Sequence, residues 1–436
     1  MIISQIQLGH EIFANCYLLI DEGSREAAIV DAENAYANLN DEQKAFVTNI
    51  EDLTAARAAY EKLLVEAASA AKIGDVYYAT LADALAADGD ITLLANIEDE
   101  VVVGKLVSII KNGFTANIVA ADGFEVVETE TAYNVYKAVT KFDLSGVTMT
   151  LGASLSLDFA IDTRKLTGTD NYAQMTIVYA DGRPSDTIIV PQSEWTVYSG
   201  KIYTAKFTGM AAKQMNDVVT AVVYNANGQV VSNTKSDSIE TYAVRMLGGS
   251  AASNAKLRSV YVDMLNYGAA AQVQFNYDKA NLANRNLTEA HQAWATQSVE
   301  TVDNRVKGTG YAGSTLTLAG EIQLDLVFQN KAVGTDYSDL YAIATYTDHY
   351  GNEKEVRVEG TSFIKYSSSM CQVSITGMAV ADFRSVVSCV VYDSTGEALA
   401  NAADSVESYA NRNLANLGAT VDTIVKFGAS SYNYFH

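Results

Sequence analysis

Four histidines, His10, His291, His349 and His436, are all the imidazole that this chain of 436 residues offers to chemistry. No two lie close together and no His-x-His occurs. A zinc site gathers about three or four imidazole, thiolate or carboxylate ligands, and no local spacing here supplies them. His349 follows Asp348, but the run Thr347-Asp348-His349-Tyr350-Gly351-Asn352 has the composition of a polar turn between strands. Three cysteines, Cys16, Cys371 and Cys389, are too few for a disulfide framework. Cys371 and Cys389 fall on strands of one predicted domain, where either a pair or two buried thiols would fit. The carboxylate-rich runs NIEDE (96–100), TGTDNY (167–172) and VGTDYSD (333–339) carry oxygen ligands. None has the Asp-x-Asp-x-Asp-Gly spacing of a calcium loop, so they read as solvated turns. With 52 acidic residues, carboxylate pairs are inevitable and no pair points to glycoside hydrolysis. No nucleophile elbow, P-loop or G-x-G-x-x-G run is present.

The stretch SEWTVYSGKIY (193–203) brings together Trp195, Tyr198 and Tyr203, the kind of aromatic platform that a glycan-binding groove uses. Core packing on a strand suits the same residues. The wider composition narrows the partners. A formal charge of −22 disfavours nucleic acid and anionic membranes, both of which need cationic surface. No apolar run approaches the ~20 residues of a membrane span. Only two prolines, Pro184 and Pro191, occur, while 26 tyrosines sit largely in alternating runs that suit half-buried strands. The length implies roughly three or four domains of ~100–150 residues.

Several elements must carry these residues. Ile29, Ala32, Tyr36 and Leu39 recur at helical spacing, which predicts a helix over 24–38. Asn40 with Gln43 forms a capping box for a second short helix. Ile50, Leu53, Ala56, Tyr60, Leu64 and Ala67 form the apolar stripe of a third. From residue 73 the pattern changes to short Val/Ile runs broken by Gly104, Asn112-Gly113 and Asp122-Gly123, which predicts β-hairpins or a few coils of a β-helix.

The strongest signal is a duplication. FTGMAAKQMNDVVTAVVYNANGQVVS (207–232) aligns without a gap to ITGMAVADFRSVVSCVVYDSTGEALA (375–400). TLGASLSLDFA (150–160) matches TLAGEIQLDLV (317–327), and SIETYAVRM (238–246) matches SVESYANRN (405–413). DMLNYGAAAQVQF (263–275) matches TIVKFGASSYNYF (423–435). In each copy alternating strands with an Asn227-Gly228 type of turn precede helical periodicity, which opens at Ser238 in the first copy. Phe363, Tyr366 and Cys371 hold the places of Trp195, Tyr198 and Tyr203 in the second copy.

The opening residues, with Asn15, Cys16, Tyr17 and Asp21 in place, resemble the first strands of metallo-β-lactamase-fold hydrolases. That resemblance implies a two-zinc hydrolase, yet the family's His-x-His-x-Asp-His run is missing, so only a β-hairpin over 1–23 is expected. The string NAYANLNDEQKAFVTNIEDLTAARAAYEKL resembles helical spacer modules of secreted Gram-positive surface proteins. YATLADAL…DGD…ITLL resembles β-helix-like segments of bacterial surface proteins. LNYGAAAQ…F, with SIETYA and FTGMAAKQM, resembles a non-catalytic module of secreted or wall-attached proteins of anaerobic Gram-positive bacteria. These resemblances imply an extracellular or cell-surface setting. The N-terminus lacks a signal-peptide pattern, which leaves an intracellular protein or a mature fragment restarted at Met1.

The expected architecture is therefore multidomain and mainly β. It comprises a hairpin (1–23), a helical spacer module (24–72), a β-rich, β-helix-like segment (73–137) and a first sandwich-plus-helix repeat (138–275). A polar linker (276–304) and a second repeat (305–436) follow. Each repeat is an antiparallel β-sandwich with a two-helix appendage. The function expected is that of a non-catalytic surface scaffold or assembly subunit, with itself as partner. The alternatives are an adhesin binding glycans or a host surface through Trp195, Tyr198 and Tyr203, and a zinc hydrolase built on the opening hairpin. No catalytic, cofactor-binding or metal-ligating residue is singled out.

Overall fold

A computed structural model describes residues 3–7, 15–19, 32–45, 47–48, 50–152, 154–318 and 321–436. The chain divides into two compact units, Met1–Val139 and Thr140–His436. Helical and antiparallel β-sheet regions alternate along it. Helices such as Ile50–Ala67, Ala255–Gln274 and Val406–Phe435 take a share that the expectation of a mainly β chain left out.

In the first unit Ile3–Gln7 pairs antiparallel with Asn15–Leu19, from Ile3 opposite Leu19 to Gln7 opposite Asn15. Of the helix expected over 24–38, residues 32–37 are helical; residues 24–31 and Asp21 lie outside the described residues. Asn40 caps Asp41–Lys44 as its sequence requires. The Gln43 amide donates to Asn40 Oδ1 at 2.9 Å and the Asn40 amide donates to Gln43 Oε1 at 3.0 Å. Helix Ile50–Ala67 follows, with Ile50, Leu53, Ala56 and Tyr60 packed around Ala32. The predicted stripe does not stay buried to its end, because Leu64 and Ala67 are exposed.

The β-rich segment places Ile91–Leu93 parallel to Val107–Ile110 and Ile97–Val103 parallel to Ala116–Ala120. The other pairings of the segment, Ala71–Ile73 with Val76–Tyr78 and Ile91–Leu93, and Ala132–Lys137 with Val107–Ile110 and Phe124–Glu128, are antiparallel. Leu81, Ile91, Leu93, Val103, Ile109 and Val135 fill its core.

The second unit contains the duplication as two copies of one strand order. In the first copy, Gly146–Leu151, Leu155–Asp162, Ile202–Met210 and Thr196–Ser199 form one antiparallel sheet in that spatial order. Asp186–Pro191, Tyr172–Val178, Val218–Tyr224 and Lys235–Asp237 form the other. The second copy repeats both sheets: Tyr311–Leu318, Ile322–Gln329, Met370–Met378 and Ile364–Ser367, then Glu353–Glu359, Tyr341–Thr347, Val387–Tyr392 and Ala398–Asp404. One buried cluster of the second copy draws Leu324, Phe328 and Val373 from one sheet and Ala342, Cys389 and Ala402 from the other, so the pair is sandwich-like.

Even the irregularities recur. The register slips between Leu155 and Leu157 against Met210 and Phe207, and between Ile322 and Leu324 against Met378 and Ile375. Gly209 and Gly377, at φ +82° and +83°, supply the left-handed residue that each bulge requires. Ser238 and Ser405 cap the helices that follow, each accepting from the amide three residues on. The first copy breaks its helices between Ile239–Leu247 and Ala255–Gln274. The second runs through Val406–Phe435 with a kink at Gly418, where φ +45° and ψ −117° suit glycine alone. Of residues 276–304, expected to be a polar linker, 281–296 bond to helix Ala255–Gln274 and 301–304 to helix Val406–Phe435. The Gln272 amide group donates to Asn281 O, its Oε1 accepts from the Ala283 amide, and Ser259 Oγ donates to Trp294 O.

Candidate functional site

Trp195 follows the turn Gln192–Glu194 that carries the chain from one sheet of the first copy to the other. Its indole is buried and donates to Val190 O at 3.1 Å. Tyr203 is half-buried within Ile202–Met210, while Tyr198 is 59% exposed. The three aromatics therefore do not share one open platform. Their counterparts fall the same way: Phe363 is buried against Tyr337, Tyr366 is exposed, and Cys371 is buried. Cys371 and Cys389 are both free and buried, and burial pushes their thiols up to about 11 and about 12.

The carboxylate loops resolve into turn chemistry. In 167–172 it is Asn171 that is buried, donating to Thr167 O, Gly168 O and Gln192 Oε1. In 333–339, Asp336 accepts from the Ser338 amide and hydroxyl, which holds its carboxyl below the usual range. The run 96–100 lies largely on strand Ile97–Val103, with Glu98, Asp99 and Glu100 exposed. Among the described residues no group of three or more His, Cys, Asp or Glu side chains is placed to hold a metal ion.

Tertiary structure brings together three arrangements that sequence spacing hides. The first is a side of the first copy where two edge strands meet solvent. Asp186–Pro191 and Thr196–Ser199 each end their sheet. Ile189 is 63% exposed, Val197 64%, and Ile188 and Tyr198 are exposed beside them in the chain. In the second copy the strand equivalent to Asp186–Pro191 reads EKEVRVE over Glu353–Glu359. Charge there guards an open edge, a guard the first copy lacks.

The second arrangement is a cleft of about 560 Å³ between helices Ala255–Gln274 and Val406–Phe435 and the strap 276–304. Asn266, Asn284 and Gln292 line it and satisfy one another, with Asn284 Nδ2 and Gln292 Nε2 donating to Asn266 Oδ1 at 3.0 and 3.1 Å. Asp263 is buried at its wall and accepts from the Thr296 amide and hydroxyl. Burial raises its pKa, the Thr296 bonds working against that rise.

The third is a pairing of His349 with Asp382, not with its neighbour Asp348. Asp382 Oδ1 lies 2.6 Å from both the His349 amide and its Nδ1, and Oδ2 accepts from the Ala379 amide. Both side chains are buried, and His349 Nε2 has no hydrogen-bond partner. Burial works to raise Asp348, but bonds from Asn352 and Lys354 outweigh it and hold that carboxyl down at about 2. The sequence signal was present only as the order Asp-His in a turn; the operative carboxylate is on another loop.

No protein-family model matches this chain, and no curated protein matches it. Among solved structures, a two-domain fibronectin type III segment of chicken tenascin is similar at 9% identity, covering 60% of this chain and 99% of that one with a TM-score of 0.14. A likeness at that score carries no argument about fold or function.

Proposed function

We propose that this chain is a non-catalytic, modular surface protein of the extracellular side that acts as a structural scaffold or assembly subunit. Its Thr140–His436 unit is read as two β-sandwich repeats, each with a two-helix appendage. The observation that carries the reading is the unshielded edge of the first repeat, Ile188 and Ile189 on Asp186–Pro191 followed by Val197 and Tyr198 on Thr196–Ser199. An edge strand leaves a row of amides and carbonyls unpaired, and a strand of a second copy can add to it. The contrast with Glu353–Glu359 supports a difference between the repeats on this strand, where Arg357 stands in the place of Ile189, while Ile364 and Tyr366 are exposed in the second repeat as Val197 and Tyr198 are in the first. The likeness of the repeat blocks to modules of secreted Gram-positive proteins supports the extracellular setting.

The charge of −22 makes copies repel one another, so assembly should strengthen as salt screens that repulsion over a Debye length of about 8 Å at physiological ionic strength. Light scattering on the full chain across protein concentration and salt tests this. Growth of higher species that I189E or V197E suppresses about tenfold supports the scaffold. A monodisperse monomer at every concentration overturns it and turns attention to the 560 Å³ cleft as a ligand site.

A further inference from the structure

We propose that His349 and His436 form a two-imidazole site for a divalent transition-metal ion of the copper, nickel and zinc group. This inference does not depend on the scaffold reading. Metal-binding histidines are typically held by an oxygen acceptor at one ring nitrogen, which leaves the lone pair of the other free and fixes its direction. Both histidines are built this way. His349 Nδ1 is 2.6 Å from Asp382 Oδ1, and His436 Nδ1 is 3.0 Å from Tyr432 O. With the protons on Nδ1, both Nε2 atoms carry lone pairs. That of His349 is an unpartnered polar atom in a nine-tenths-buried side chain.

The two rings lie on the wall of one cleft of about 380 Å³, with Asp348, Tyr350, Ser385 and Tyr432. Their centroids are 6.4 Å apart. Two imidazoles bound through Nε2 to one ion at about 2.0–2.1 Å place their centroids roughly 5–6.5 Å apart, depending on the angle at the metal. The observed separation is at the upper end of that range, which places the two nitrogens on opposite sides of the ion. Tyr350 and Phe435, at 4.0 and 5.0 Å from the His349 ring, wall the site with aromatic surface. Of the other side chains lining the cleft, Asp348 holds Lys354 and Asn352, and the Arg384 cation is paired with Glu407. Two protein nitrogens leave the remaining positions to water, and the ordering of affinities should place Cu²⁺ above Ni²⁺ and Zn²⁺.

The test is calorimetric titration of the full chain, without a histidine tag, with CuSO₄, NiSO₄ and ZnSO₄ in turn, followed by electron paramagnetic resonance of the Cu²⁺ complex. One ion per chain is expected, with two nitrogen couplings. H349A and H436A should each weaken binding by about tenfold or more and reduce the nitrogen count to one, and D382N should weaken it by about 10–100-fold. H291A should change nothing. Because His436 is exposed, H436A keeps the result readable even if H349A fails to fold. No uptake of any of the three ions, or uptake that H436A leaves unaltered, overturns the proposal.

Discussion

Asp404 with Arg412, and Asp237 with Arg245, are the same pair in two settings. Arg412 Nη2 lies 2.5 Å from Asp404 Oδ2, and Arg245 Nη2 lies 2.6 Å from Asp237 Oδ2. Both carboxylates are buried, but the Arg412 side chain is 15% exposed and that of Arg245 is 52%. Arg412 also donates to Asp303, Ser314 and Ser408, so Asp404 sits in a network whose Asp303 end meets solvent. Removing one partner of a buried pair strands a charge and costs about 3–5 kcal/mol, and the loss is smaller where the partner is half in water, as Arg245 is, because solvent already screens that pair. R412A should therefore destabilise the chain several times more than R245A in urea unfolding. Equal losses would mean that solvent reaches Asp404 as readily as Asp237. The spacing of these pairs was visible in the aligned blocks SIETYAVRM and SVESYANRN, but nothing in either block distinguishes their burial.

At the scale of elements, two equivalent glycines set how closely helix approaches sheet. A Cβ at Gly268 would meet Met215 Sδ at 2.5 Å, and one at Gly428 would meet the Phe383 ring at 2.7 Å. Both Met215 and Phe383 end the short turns that follow the Gly209 and Gly377 bulges. Overpacking of this kind costs about 1–3 kcal/mol. G428A and G268A should both destabilise the chain. Phe383 is fixed within the core, and the Cβ at Gly268 would also meet Ala283 Cβ at 3.0 Å and the Ala212 backbone oxygen at 3.2 Å, neither of which can turn aside. Urea midpoints measure the losses, and a G428A variant as stable as the parent would show that the helix can slide away. The repeated Tyr-Gly and Phe-Gly were legible in sequence, as were the Ser238 cap and the Asn40 capping box, because caps and turns are decided within a few residues. The burial of the stripe on Ile50–Ala67 was not legible in full: periodicity says which residues share a face, not how far along the helix a neighbour covers it.

Over the whole second unit, the repeats meet through equivalent residues. Tyr267 of the first stacks on Phe427 of the second, with ring centroids 6.1 Å apart. Ser154 bridges antiparallel to Glu321, its own counterpart. Contacts between like residues place a pseudo-two-fold axis between the copies, the arrangement of an isologous dimer within one chain. Y267A in the first repeat should therefore loosen the second. Cys371 and Cys389 report on it, since burial lifts their thiols to about 11 and about 12 and leaves them protonated and unreactive at pH 8. Their labelling by a disulfide reagent at that pH should accelerate in Y267A by about tenfold or more, for a loss of roughly 1.4 kcal/mol or more. Unchanged labelling would show that the repeats unfold independently.

The sequence by itself determined the local and the periodic: the duplication, the Asn40 and Ser238 caps, the Asn227-Gly228 type of turn and the scarcity of metal ligands at short spacing. Those features depend on neighbours within a few residues, or on two stretches of the same chain being alike. Only the tertiary structure decided which polar and aromatic groups are sealed and which are open. It buried Trp195, left the aliphatic edge beside it bare, strapped 281–296 onto a helix, and joined His349 to Asp382 from a separate loop. Burial and cross-chain hydrogen bonds are properties of surfaces brought together by folding, and no run of residues carries them alone.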